Sequence, residues 1–122
     1  MPAPVGPYSP WRRAGDFIIL SGQVGLDPDA SSPTIVDGGA PAELAQGLQN
    51  AKALLAEAGA TFADVVKATI FLVDMADFAA VNEVWMSQFD APRPTRSTVA
   101  VAALPLGARA EVELWAFSPE GS

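Results

Sequence analysis

The chain has 122 residues, 14 Asp plus Glu against 7 Lys plus Arg for a net charge of −7, and neither histidine nor cysteine. The two missing residue types exclude imidazole acid–base chemistry, thiolate nucleophiles, disulfides and the usual zinc and iron–sulfur ligand sets. The acidic balance disfavours phosphate backbones as partners, so any reaction must run on Arg, Lys, Tyr, Ser, Thr, Asp, Glu, backbone groups and water.

The opening segment carries Pro2, Pro4, Pro7 and Pro10 and is expected to be extended and irregular, because proline lacks an N–H and restricts the residue before it. Phe17-Ile18-Ile19-Leu20 reads as a buried strand that stops at Ser21-Gly22. Residues 26–40, dense in Asp, Ser, Pro and Gly, read as a surface loop. A helix then starts near Pro41, with Glu43 at its positive end and Gly59 as its stop; Leu44, Leu48, Ala51 and Leu55 form its apolar stripe. Val65 to Val73 is β-branched and apolar, hence a strand. Asp74 or Asp77 is positioned to cap a second helix whose stripe is Phe78, Val81, Trp85 and Phe89.

A Pro-Arg-Pro break at 92–94 ends that helix. Strands Thr95 to Ala103 and Arg109 to Phe117 complete the chain, joined by a turn through Leu104-Pro105-Leu106-Gly107. The expected order is β, α, β, α, β, β: an α+β domain spanning residues 1–122, with two helices on one face of a mixed sheet. In the last strand Arg109, Glu111, Glu113, Trp115 and Phe117 share one face, and Ala110, Val112, Leu114 and Ala116 the other. The smaller aliphatic set suits packing under helices. The charged and aromatic set suits a subunit interface more than plain solvent. Half the residues are apolar, only 17% are charged and the mean hydropathy is +0.25, which points the same way, although an alanine-rich composition raises the apolar share on its own. No apolar stretch approaches the ~20 residues of a membrane span, and the first residues lack the apolar core of a signal peptide. No membrane partner and a cytoplasmic location are expected.

The segments GPYSP (6–10), SGQVGLDP (21–28), DVVKATIFLVDMADFAAVNEVW (64–85), PTRSTVAVAALP (94–105) and AEVELWA (110–116) together resemble the Rid/YjgF family of reactive-intermediate deaminases. The resemblance runs through nearly the whole chain in order. It implies a chorismate-mutase-like sandwich assembled as a homotrimer, with clefts between adjacent subunits that would cover the unusual sheet face. It implies hydrolysis of 2-enamino and 2-imino acids such as 2-aminoacrylate to 2-keto acids and ammonia, with no cofactor and no metal.

Residue by residue, the resemblance gives Arg96 the substrate carboxylate, for which a planar guanidinium is suited; the alternative is a strand Arg paired with an acidic neighbour. It gives Glu111, seven residues after Leu104, the positioning of water and the handling of protons. The alternative is that Glu111 simply pairs with Arg109 or Arg96 across the sheet. Tyr8, the only tyrosine, would line the cleft with its phenol or merely anchor its arm by the ring. Ser21 and Gly22 would meet the substrate or only end a strand. Ser97 and Thr98 would contact substrate beside Arg96. Asn82, a polar amide on the apolar stripe of the second helix, must find partners, either as a helix-to-loop tie or as a cleft contact.

Three features depart from the family pattern. Thr98 stands where the archetypal deaminases often carry Cys, the segment between Phe89 and Pro94 is shorter, and the arm after Tyr8 reads Ser-Pro-Trp. They bear on substrate range more than on reaction type. Arg93 adds positive charge at the cleft mouth or is a solvated surface residue. A non-catalytic trimer that binds small acids at Arg96 is the alternative function. An endoribonuclease, an activity ascribed to some family members, is disfavoured by the charge and the missing histidines, and no nucleic-acid partner is expected.

Overall fold

The alternation of small and large residues in the last strand divides the molecule. Ala110, Val112, Leu114 and Ala116 are buried, Glu111, Glu113 and Trp115 are half-buried, and Phe117 is exposed. The computed structural model describes residues 6–119; Pro2 and Pro4 of the expected opening lie outside them. In chain order the elements are β1 (Trp11–Ala14), β2 (Phe17–Leu20), β3 (Gln23–Val24), α1 (Gly39–Glu57), β4 (Val65–Leu72), α2 (Phe78–Gln88), β5 (Thr95–Ala100) and β6 (Ala110–Phe117). The strands form one mixed sheet of order β1-β2-β6-β4-β5, and β3 follows β2 along the same flank of β6. Only β4 and β5 are parallel, and α2 lies between them in the chain.

Both helices bury their stripes in one cluster. Leu44, Leu48, Ala51 and Leu55 of α1 and Val81 and Trp85 of α2 pack with Ile18, Leu20, Ala68, Ile70, Leu72, Val112 and Leu114. The sheet therefore has a helix-covered side and an open side. α1 comes down closely on β3 because two glycines allow it. A Cβ on Gly25 would lie 2.6 Å from the Glu43 carbonyl oxygen, and one on Gly47 would lie 3.1 Å from that of Gln23. Glu43, expected to favour the helix N-terminus, is instead buried and accepts the Arg109 N–H at 2.7 Å, fixing the chain as it enters β6. Among the described residues no helix is long and apolar enough to cross a membrane.

Several expected boundaries move. Gly15, at φ 59°, and Asp16 form a two-residue turn that pairs Ala14 with Phe17 and adds β1, which the charged Trp11-Arg12-Arg13-Ala14 run concealed. Charged residues suit a sheet edge, where they hinder pairing with other chains. The two-residue β3 is too short to show a period. β5 stops at Ala100 rather than Ala103, β4 at Leu72 rather than Val73, and β6 starts at Ala110 rather than Arg109. The ladder ends where Val101 N–H reaches Leu72 O and Val73 N–H reaches Arg109 O. Helix α1 begins at Gly39, two residues before Pro41, and Gly59 follows its end at φ 90°. Asp74 caps the short turn ahead of α2 by accepting the Ala76 N–H at 2.9 Å, while the Asp77 side chain makes no capping bond. Phe78, assigned to the core stripe, is 39% exposed as the first residue of α2.

The glycine contact yields a stability prediction. Gly25→Ala should push α1 off β3 and destabilise the protein by about 1–3 kcal/mol, as overpacking does, which thermal denaturation would read as a clear drop in Tm.

Candidate functional site

Strand register decides which candidate residues can meet, since residues paired across a sheet share a face. β4 pairs Ala68, Ile70 and Leu72 with Leu114, Val112 and Ala110 of β6, and with Arg96, Thr98 and Ala100 of β5. Those residues all lie on the helix-covered side. Phe71 pairs with Glu111 and Val99, and Thr69 with Glu113 and Ser97; these lie on the open side. Within one chain Arg96 and Glu111 therefore occupy opposite faces, and Ser97 points away from the face that presents Arg96. The residues expected to act together form two half-sites.

The first half-site lies between edge strand β5 and helix α2. Arg96 Nη2–H donates to Asn82 Oδ1 at 2.6 Å, and the guanidinium carbon lies 5.3 Å from the Trp85 ring centroid and 5.6 Å from that of Phe78. Asn82 thus satisfies its amide by tying α2 to β5. Partial burial pushes the Arg96 pKa below its ordinary value, yet guanidinium keeps its charge at any working pH. Among the described residues its hydrogen bond goes to a neutral amide rather than a carboxylate. Thr98, two residues along β5 on the same side, has a buried hydroxyl oxygen with no hydrogen-bond partner among the described residues.

The second half-site lies on the open side. Tyr8, Ser21, Gly22, Phe71, Glu111 and Glu113 line a shallow cavity of about 320 Å³. Ser21 holds the arm that brings Tyr8 there: its Oγ–H donates to Ser9 O at 2.7 Å and its N–H to Pro10 O at 2.9 Å. The hydroxyl proton expected to meet substrate is thus already engaged. Gly22 is required for a different reason from ending a strand. A Cβ there would lie 2.8 Å from the Glu111 carboxyl carbon and 3.1 Å from each of its oxygens. Burial, and then the neighbouring Glu113 charge, push the Glu111 pKa up from 4.5. This carboxyl holds and releases a proton nearer neutrality than an ordinary one.

The alternative partners for Glu111 do not match the geometry. Arg96 is on the other face, and the Arg109 guanidinium reaches back toward Gly39 at the start of α1. Arg93 is exposed. Glu113, placed by period-2 alternation on the same face as Glu111, lines the cavity with it. The sequence reading missed Phe71 as a cavity wall, and Phe78 and Trp85 as neighbours of the arginine. The ring contacts depend on how α2 docks and had no local signal.

The chain matches the family model described as Endoribonuclease L-PSP over residues 1–118. It is 46% identical to the 2-iminobutanoate/2-iminopropanoate deaminase of Mus musculus, over 92% of this chain and 82% of that protein. With the human protein of the same name it shares 43% identity, over 92% of this chain and 80% of that one. Among solved structures, RidA from the Antarctic bacterium Psychrobacter sp. PAMC 21119 superposes with a TM-score of 0.89 at 39% identity, covering 95% of this chain and 92% of its own. A putative endoribonuclease from Thermotoga maritima MSB8 gives the same score at 38% identity, covering 96% and 91%. Sequence and fold agree from the proline-rich arm to the last strand, and the chain belongs to the Rid/YjgF family.

Proposed function

We propose that this protein is an enamine/imine deaminase that hydrolyses 2-aminoacrylate-type intermediates to 2-keto acids and ammonia, in clefts between the subunits of a homotrimer. The observation that carries the reading is Arg96: a fixed cation on an edge strand, held by an amide and two rings and, among the described residues, not neutralised by a carboxylate. Such a group is a receptor for a planar anion, and a carboxylate accepts two of its N–H bonds at once. The relatives named as 2-iminobutanoate/2-iminopropanoate deaminases support the same substrate class.

The open side supports the assembly. Phe17, Phe117 and Val99 are exposed there, and Trp115 and Phe71 half-buried. The Phe17 ring lies edge-on to Phe117 at 5.3 Å and to Trp115 at 6.2 Å. A closed head-to-tail ring brings one surface of a subunit against a different surface of the next. In this reading the β5 edge of one chain faces the open side of its neighbour, and Arg96 meets the neighbour's Tyr8 and Glu111 across a cleft.

The reaction then follows from placement. The enamine acid docks its carboxylate on Arg96, with the free Thr98 hydroxyl donating beside it, and tautomerises to the imine. Glu111 as carboxylate orients a water and takes its proton as the oxygen adds to the C=N carbon. It returns that proton to nitrogen. Glu111 then passes the carbinolamine hydroxyl proton to the nitrogen as the C–N bond breaks, and the products are a 2-keto acid and ammonia. Tyr8 supplies a hydroxyl that can bond to the water or the imine nitrogen. Such imines hydrolyse unaided, so positioning and proton transfer account for the acceleration. RNA cleavage fits poorly: Glu111 and Glu113 side by side would repel a phosphodiester, and the chain has no histidine.

With 2-aminoacrylate generated in situ, the wild type should release keto acid faster than the uncatalysed background. Arg96→Ala should lower kcat/KM by about a hundredfold, as expected when one partner of a buried charged pair is truncated. A wild type that binds a 2-keto acid without accelerating release would instead make this a binding protein.

A pH profile tests the proton-handling carboxylate. Because burial and Glu113 both raise the Glu111 pKa, activity should fall on the acid side at a pH above the ordinary carboxylate range. Glu113→Gln removes one of the two causes and should move that limb to lower pH. An unmoved limb would take the role from Glu111.

A further inference from the structure

Phe78, Asn82 and Trp85 sit four and three residues apart along α2, a spacing that puts them on one helix face. That face receives the end of the Arg96 side chain arriving from β5. The amide accepts one N–H at 2.6 Å, and both rings have their centroids within 6 Å of the guanidinium carbon, the range over which an aromatic face attracts a cation. Trp85 has a second task, because it is buried and packs its ring on Phe89 at 4.3 Å. Phe78 has no such explanation. It is 39% exposed at the first turn of the helix, and the ring contact it makes is with Arg96.

We infer that Phe78 and Trp85 are positioning residues: together with Asn82 they hold the Arg96 guanidinium in one orientation before a carboxylate arrives. An arginine on an edge strand would otherwise sample many rotamers, and each binding event would have to order it. An amide alone restrains one N–H and leaves rotation about it. Two ring contacts besides the amide restrain the plane of the group and leave its remaining N–H bonds free for a ligand. The inference rests on the carboxylate-binding role proposed for Arg96, and adds which residues make that arginine a preformed receptor.

The test measures side-chain order and ligand affinity separately. In the ligand-free protein, NMR relaxation of the arginine Nε–H groups should show Arg96 in the rigid range and the exposed Arg12 in the flexible one. Phe78→Leu keeps apolar bulk without a π face and should move Arg96 toward the Arg12 value, whereas Phe78→Tyr should not. Titration with 2-oxobutanoate should show a roughly three- to tenfold weaker Kd for Phe78→Leu, rescued in Phe78→Tyr. In an Arg96→Ala background Phe78→Leu should cause no further loss. Trp85→Phe, which keeps a ring in the core, should behave like Phe78→Tyr. The inference is overturned if Arg96 is as mobile as Arg12 in the wild type, if Phe78→Leu leaves its order unchanged, or if Phe78→Leu weakens binding equally with and without Arg96. A wild type with an ordered Arg96 that does not hydrolyse imines would overturn the deaminase reading and leave the clamp standing.

Discussion

Each successive side chain of a strand turns to the opposite side of its sheet, and the register of β4 between β5 and β6 makes that alternation decisive in this molecule. Ala68 stands opposite both Arg96 and Leu114, and Phe71 opposite both Val99 and Glu111. One residue of slip in either pairing would carry the arginine to the open face or bury the carboxylate under the helices. The register is protected by what it buries: Ile70, Leu72, Val112 and Leu114 have almost no exposed surface. The consequence is a chain that presents Arg96 on one side of its sheet and Glu111, its pKa raised, on the other. The proposed function accordingly needs a second copy to complete each cleft.

Each half-site is built from close approaches rather than from charge pairs. Gly22 leaves the space the Glu111 carboxyl occupies, and Ser21 pins the arm that brings Tyr8 alongside. Glu43 fixes the chain two residues before Glu111 by accepting the Arg109 N–H. On the other side, an amide and two aromatic rings restrain Arg96 without neutralising it. Uncompensated charge held by neutral groups is costly to keep partly buried, and a bound carboxylate would relieve that cost. The same logic suits a chain without histidine or cysteine. Burial and a neighbouring carboxylate bring Glu111 closer to neutrality, a range that an imidazole covers unaided.

Much of this was legible in the residues and some of it was not, for identifiable reasons. The stripe of α1 and the two faces of β6 follow from period alone, and the structure buries Leu44, Leu48, Ala51 and Leu55 as the spacing requires. β1 was hidden because an edge strand carries charge, so its hydropathy reads as a loop. Phe78 has core spacing, but its exposure depends on where α2 begins relative to the sheet. The side on which Arg96 emerges is set by pairing with Ala68, 28 residues earlier, and no local pattern encodes it. Gly22 reads as a strand terminator until its partner, far along the chain in β6, is known.

The division of the site between two chains is the central claim, and subunit mixing tests it most directly. Arg96→Ala and Glu111→Gln proteins, each inactive alone, would be unfolded together in equal amounts and refolded. Clefts that draw Arg96 from one chain and Glu111 from its neighbour should regain about a quarter of wild-type activity under random assembly. A mixture that assembles yet stays as inactive as its two parents would contradict the account.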